Sequence, residues 1–141
     1  MSNVVNFLSG TSWTYRSFLN NSDPAVKPDD LLFGMGEMVF ENTNAQADEV
    51  NGYFDFGSGY KLNFKGWGTL GTPYTFRYQG VGIPGSPTEG WAYDYLCYYV
   101  PSWPNGVEQV PALVGTVVRT NPHSDGRAKP GVVASFIAVK K

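Results

Sequence analysis

The sequence predicts an all-β protein, an eight-stranded antiparallel up-and-down barrel that opens with one short helical turn. Three observations carry that prediction. Eight runs of strand-forming residues fill nearly all of the 141 positions, each closed by Gly, Pro, Asn or Asp, residues that supply positive φ, fix φ or bond their own backbone. No window of a dozen residues keeps a helical period, and no repeat at fixed spacing points to a propeller or solenoid. Strands joined by short links pair with their sequence neighbours, and closing the meander removes the unpaired edges an open sheet would expose. A two-sheet sandwich is the other arrangement this pattern allows. At this length residues 1–141 make one domain that can bury a core without staples.

The elements follow in order. Residues 3–9 can form one helical turn with Val4, Val5 and Leu8 on a shared side, a plug for one barrel end. Strands are expected at 11–20, 31–41, 51–57, 59–67, 73–82, 90–100, 112–120 and 131–140. The tight signal Gly57-Ser58-Gly59 joins the third to the fourth. The fourth sets Tyr60, Leu62 and Phe64 against Lys61, Asn63 and Lys65, and the fifth sets Tyr74, Phe76 and Tyr78 against Thr75, Arg77 and Gln79. Period-two alternation of this kind puts one face in a core and one in water.

Three strands do not alternate. Leu31–Phe40, Trp91–Val100 (five aromatics in ten residues) and Val132–Val139 are apolar on both faces. An apolar outer face needs a cover, so a homo-oligomer joined through the second, sixth, seventh and eighth strands is expected. Gly34 and Gly36, two apart, mark a bend or a close backbone approach.

Composition excludes several functions. Charged residues, at 16%, fall below the usual quarter or so, while aromatics are as frequent as charges. A net charge of −2, with ten basic residues scattered along the chain, argues against nucleic acid and against an anionic membrane surface. No apolar stretch approaches the roughly 20 residues of a spanning helix. Residues 1–10 lack the basic and long apolar regions of a signal peptide, so a cytoplasmic location is expected. The one cysteine, Cys97, excludes an intrachain disulfide and reads as a small buried hydrophobe.

The opening segment Leu8–Arg16, with Gly10-x-x-Trp13, resembles the first strand of calycin barrels, the lipocalins and avidins. In those barrels a glycine shortly precedes the tryptophan that closes one end, and the spacing here is one residue longer. The last two strands, Val114–Arg119 and Val132–Lys140, are similar to the closing pair of avidin-like barrels. The resemblance implies a cup that binds one small, largely apolar ligand. It does not imply biotin, because that family's hydroxyl and amide ligands have no counterparts on consecutive strands here.

The residues that could carry chemistry are aromatic rings and in-strand charges. Trp13, Tyr15, Tyr60, Phe64, Phe76, Tyr78, Tyr93 and Tyr95 are candidates to wall a pocket, rings stacking on a ligand and phenols orienting it. The competing reading is that they merely fill the barrel. Arg16, Glu37, Asp55, Arg77, Asp94 and Arg119 sit mid-strand between apolar neighbours, and an unpaired charge in a dry barrel costs several kcal/mol. Glu37, flanked on its own face by Met35 and Val39, is expected inside, with Arg16 or Arg119 as its partner. Inside, it would anchor a ligand or accept a proton; otherwise it belongs to a structural ion pair or a solvated face.

The only histidine, His123, lies in the loop Asn121–Gly126 and reads as a solvated turn residue. His123, Ser124 and Asp125 are adjacent in one turn and cannot make a triad, whose members come from separate elements. Paired His or Cys ligands, a calcium loop and a Gly-rich phosphate loop are all missing from the sequence, so neither metal nor cofactor is expected.

The leading expectation is a non-enzymatic barrel that takes a small apolar or aromatic ligand. Second is a cofactor-free cyclase or isomerase on the same barrel, with Glu37 or a tyrosine as acid or base. Third is a structural module with a filled interior.

Overall fold

The computed structural model describes residues 6–41, 49–69, 71 and 73–141. Its strands are β1 Ser12–Leu19, β2 Leu32–Phe40, β3 Glu49–Asp55, β4 Lys61–Thr69, β5 Thr75–Gly82, β6 Ala92–Tyr99, β7 Ala112–Arg119 and β8 Val133–Lys140. Each lies within two residues of its expected bounds. Every strand pairs antiparallel with the next, and β8 returns to β1 from Trp13↔Lys140 to Leu19↔Ala134, closing the barrel. The sandwich is thereby excluded.

A short 3-10 turn, Asn6–Leu8, precedes β1, and a second, Pro28–Leu31, leads into β2. Leu8 is buried, and the Phe7 ring lies 5.0 Å from Tyr99 and 5.7 Å from Tyr74. Trp13 Nε1 donates to Thr11 Oγ1 at 2.9 Å beneath this cap. The expected plug therefore stands on Leu8 and Phe7, while Val4 and Val5 lie outside the described residues. We call this the closed end.

The interior is built by alternation. In β4 and β5 the residues Leu62, Phe64, Phe76 and Tyr78 are buried while Lys61, Asn63, Lys65 and Arg77 are exposed. Large rings sit opposite glycines: Gly66 faces Tyr78 and Gly80 faces Tyr93. A Cβ on Gly66 would come within 1.9 Å of the Arg77 carbonyl oxygen and 2.5 Å of Tyr78 Cβ, so this position has no room for a side chain. Phe54, fully buried, lies 5.0 Å from Tyr15, 5.3 Å from Phe64 and 4.9 Å from Tyr95. Burial of a single such ring contributes roughly 1.5–3 kcal/mol. The closed half of the barrel is a packed aromatic core.

The strands with two apolar faces resolve as follows. β6 turns Tyr93, Tyr95 and Cys97 inward, and β8 turns Ala134, Phe136 and Ala138 inward. In β2 the inward pair is Met38 and Phe40, both buried. Glu37 therefore faces outward, contrary to the expectation from its Met35 and Val39 neighbours, and its carboxylate pairs with the Lys141 ammonium. The physical reason is competition for one face: two large apolar side chains outbid a charge that water solvates well. Arg16 is also on the outer face, paired in register with Met35, which is 57% exposed.

Candidate ligand-binding site

At the end opposite the plug the barrel is not filled. A cavity of about 270 Å³ opens there. Tyr15 and Tyr95 form its floor, because both also pack on Phe54 in the aromatic layer beneath. Ser17, Gly34, Leu62 and Val117 line its walls, and Phe33, Met35, Phe56, Tyr60, Trp91 and Tyr93 complete the lining toward the mouth. No Asp or Glu among the described residues lines it.

Three local features build this mouth. The β1–β2 register runs Ser17↔Gly34 and then Phe18↔Leu32, so Phe33 is an extra residue at a bulge. Bulges re-aim side chains, and here the Phe33 ring is turned to the cavity, 6.3 Å from Tyr93. The turn Gly57-Ser58-Gly59, with all three φ angles positive, returns the chain to Tyr60, whose N–H donates to the Gly57 carbonyl. The loop from β5 to β6 is pinned by buried Thr88, whose Oγ1 donates to the Lys61 carbonyl at 2.7 Å. The Trp91 N–H in turn donates to the Thr88 carbonyl, so the indole sits at a fixed place on the rim.

The polar groups differ between floor and rim. Burial pushes the phenols of Tyr15, Tyr78 and Tyr95 well above their ordinary pKa; at Tyr15, hydrogen bonds with Ser17 and Tyr95 offset part of that shift. The floor therefore presents neutral hydroxyls. Tyr78 lies below it, its enclosed hydroxyl beside the Cys97 thiol but without hydrogen-bond geometry to any described group. Burial also pushes the Cys97 thiol up to about 12, which leaves it an inert hydrophobe.

The rim carries a connected network. Arg119, at the end of β7, pairs in register with Tyr93, and its Nε–H donates to the Tyr93 hydroxyl at 3.0 Å. That phenol also shares a hydrogen bond with His123 Nε2, 2.7 Å away. On the other side of the ring, Nδ1 shares a hydrogen bond with Ser124 Oγ at 2.8 Å. The His123 ring stacks on Trp91, with centroids 3.9 Å apart and planes 15° off parallel. Its loop is held by the His123↔Ala128 bridge and by the Thr120 N–H and hydroxyl, both donating to the Ala92 carbonyl. Desolvation, and then the Arg119 charge, hold the His123 pKa below its ordinary value. His123 is thus a fixed part of the rim and not the freely solvated turn residue expected from its loop.

The sequence candidates divide accordingly. Tyr15, Tyr60, Tyr93 and Tyr95 line the cavity, and Arg119, which does not itself line it, is bonded to Tyr93 there. Trp13, Phe64, Phe76 and Tyr78 are buried in the closed half and do not line it. Arg16 and Glu37 point out of the barrel, and neither is paired with Arg119. Phe33, Phe56, Leu62, Val117 and His123 were not among the candidates. The signal for Trp91 and His123 was weak, because the β6–β7 register alone brings these separate segments together. In comparison with known proteins, no family model, no curated protein and no solved structure matches this chain.

Proposed function

We propose that the protein binds one small, largely apolar or aromatic molecule at the open end of its barrel, as a non-enzymatic binding barrel of the calycin type. The observation that carries this reading is the cavity itself: about 270 Å³, walled by rings and closed below by the Tyr15–Phe54–Tyr95 layer. A cavity of about 150 Å³ holds benzene, so this one suits a fused two-ring molecule. The neutral phenols of the floor and the indole of the rim can orient such a ligand without an ion pair. The cyclase or isomerase reading loses its carboxylate with Glu37 outside, and its remaining support is the Tyr93–His123 pair.

The experiment is a titration with 2-naphthamide, a neutral two-ring probe, followed through indole N–H resonances. Of the four tryptophans, Trp91 alone lines the cavity, so its resonance should shift saturably while those of Trp67 and Trp103 stay still. Gly34→Leu should abolish saturation. A Cβ there meets only Ser17 Oγ at 3.3 Å and Phe56 at 3.9 Å, so the longer side chain has room to enter the cavity. Saturation that persists in folded Gly34→Leu, or a Trp91 signal that never moves, refutes the assignment.

A further inference from the structure

We infer that the ligand is an acid, with its apolar body in the cavity and its carboxylate held by Arg119 at the mouth; this rests on the binding reading above. The guanidinium is half-buried among rings. Its Cζ lies 5.1 Å from the Phe33 centroid and 5.6 Å from that of Tyr93, and both rings line the cavity. Two of the five N–H donors of an arginine are used, Nε–H by the Tyr93 hydroxyl and one on Nη1 by the Lys129 carbonyl at 3.1 Å. The other three have no acceptor among the described residues.

Nor does Arg119 have a counterion among the described residues. The ion pairs among the described residues are Lys65–Glu49 and Lys141–Glu37, both remote from the mouth. A guanidinium fixed by a phenol and a carbonyl, resting on rings and lacking an acid, is a prearranged half of an ion pair. The missing half must be small, because the cavity wall begins at Phe33 and Tyr93. One charge with three free N–H groups matches a singly charged planar carboxylate. A phosphate dianion would call for further donors, and both nitrogens of the adjoining imidazole are already engaged, Nε2 by Tyr93 and Nδ1 by Ser124. The Tyr93–His123 bond has a positioning role here: it holds the Tyr93 hydroxyl to which Arg119 Nε–H donates.

The test compares two probes of equal size, 2-naphthoate and 2-naphthamide, on the whole chain by calorimetry and by the Trp91 resonance. Naphthoate should bind about ten- to a hundredfold more tightly, the range of one charge-assisted hydrogen bond, and salt should narrow that ratio. Arg119→Gln should bring the ratio close to one, and Arg119→Lys should leave it intermediate. A ratio near one in the wild type, or one unchanged in Arg119→Gln, overturns the inference while leaving the binding reading intact. Failure of both probes to move Trp91 overturns the binding reading and this inference with it. Should Arg119→Gln not fold, the wild-type ratio and its salt dependence decide the matter.

Discussion

Replacing Tyr78 and Tyr95 by phenylalanine, one at a time, should move stability in opposite directions. The two rings are stacked 4.9 Å apart at 10° and are equally enclosed, so removing a hydroxyl from either costs similar packing. Their oxygens differ. The Tyr78 oxygen is enclosed and meets no described group in hydrogen-bond geometry, whereas the Tyr95 hydroxyl interacts with that of Tyr15 at the cavity floor. An unsatisfied buried hydroxyl carries a penalty of about 1–3 kcal/mol, and a satisfied one contributes about 0.5–1.5 kcal/mol net. Allowing for the small void left by the oxygen, Tyr78→Phe should gain about 1 kcal/mol and Tyr95→Phe should lose about the same. In a chain of this size that separates the two melting temperatures by roughly 6 °C. Equilibrium unfolding in urea, with the slope unchanged between variants, measures the difference directly. A loss of 1 kcal/mol or more in Tyr78→Phe refutes the reasoning. It would mean that a buried water bonds Tyr78, that the closed half is not dry, and that the ligand space extends below the Tyr15–Tyr95 floor.

Two further outcomes follow from the rim and the outer face. The His123 pKa lies below the ordinary 6.5 because desolvation and Arg119 disfavour its cation, so its NMR titration midpoint should fall below 6.5 and rise toward it in Arg119→Gln. The sign for stability is then fixed. The unfolded chain binds this proton more readily, so the contribution is complete above the unfolded value and is lost as pH falls below 6.5; a midpoint above 6.5 sinks the network as drawn. We also propose that the outer faces of β2, β6, β7 and β8, where the register lines up Met35, Ile137, Val114 and Tyr98 with Arg16 of β1 between Met35 and Ile137, form an interface between copies. Sedimentation should find an oligomer at tens of micromolar that Ile137→Lys dissociates, and a wild-type monomer at that concentration rules the interface out.

The barrel was legible because β4 and β5 alternate cleanly, and because each turn announces itself with glycine, proline or asparagine. The facing of β2 was not. Both of its parities are apolar, Met35 and Val39 on one side and Met38 and Phe40 on the other, with Gly34 and Gly36 adding no side chain to weigh. Side-chain size decided it, together with a bulge at Phe33 that no local pattern announces. The same misreading supplied Arg119 with a false partner, since a Glu37 inside the barrel would have neutralised it. Whether the interior is open or filled looked undecidable from the number of rings, yet the sequence does encode it once inward positions are known. Toward the closed end those positions carry Trp13, Met38, Phe40, Phe64 and Phe76; toward the open end β1 and β2 carry Ser17 and Gly34, which line the cavity. These two small residues, paired in register on neighbouring strands, leave a space that the surrounding rings line but do not occupy. The cavity thus depends on where serine and glycine replace a large inward side chain, and the rings that appear to advertise a binding site chiefly report its walls.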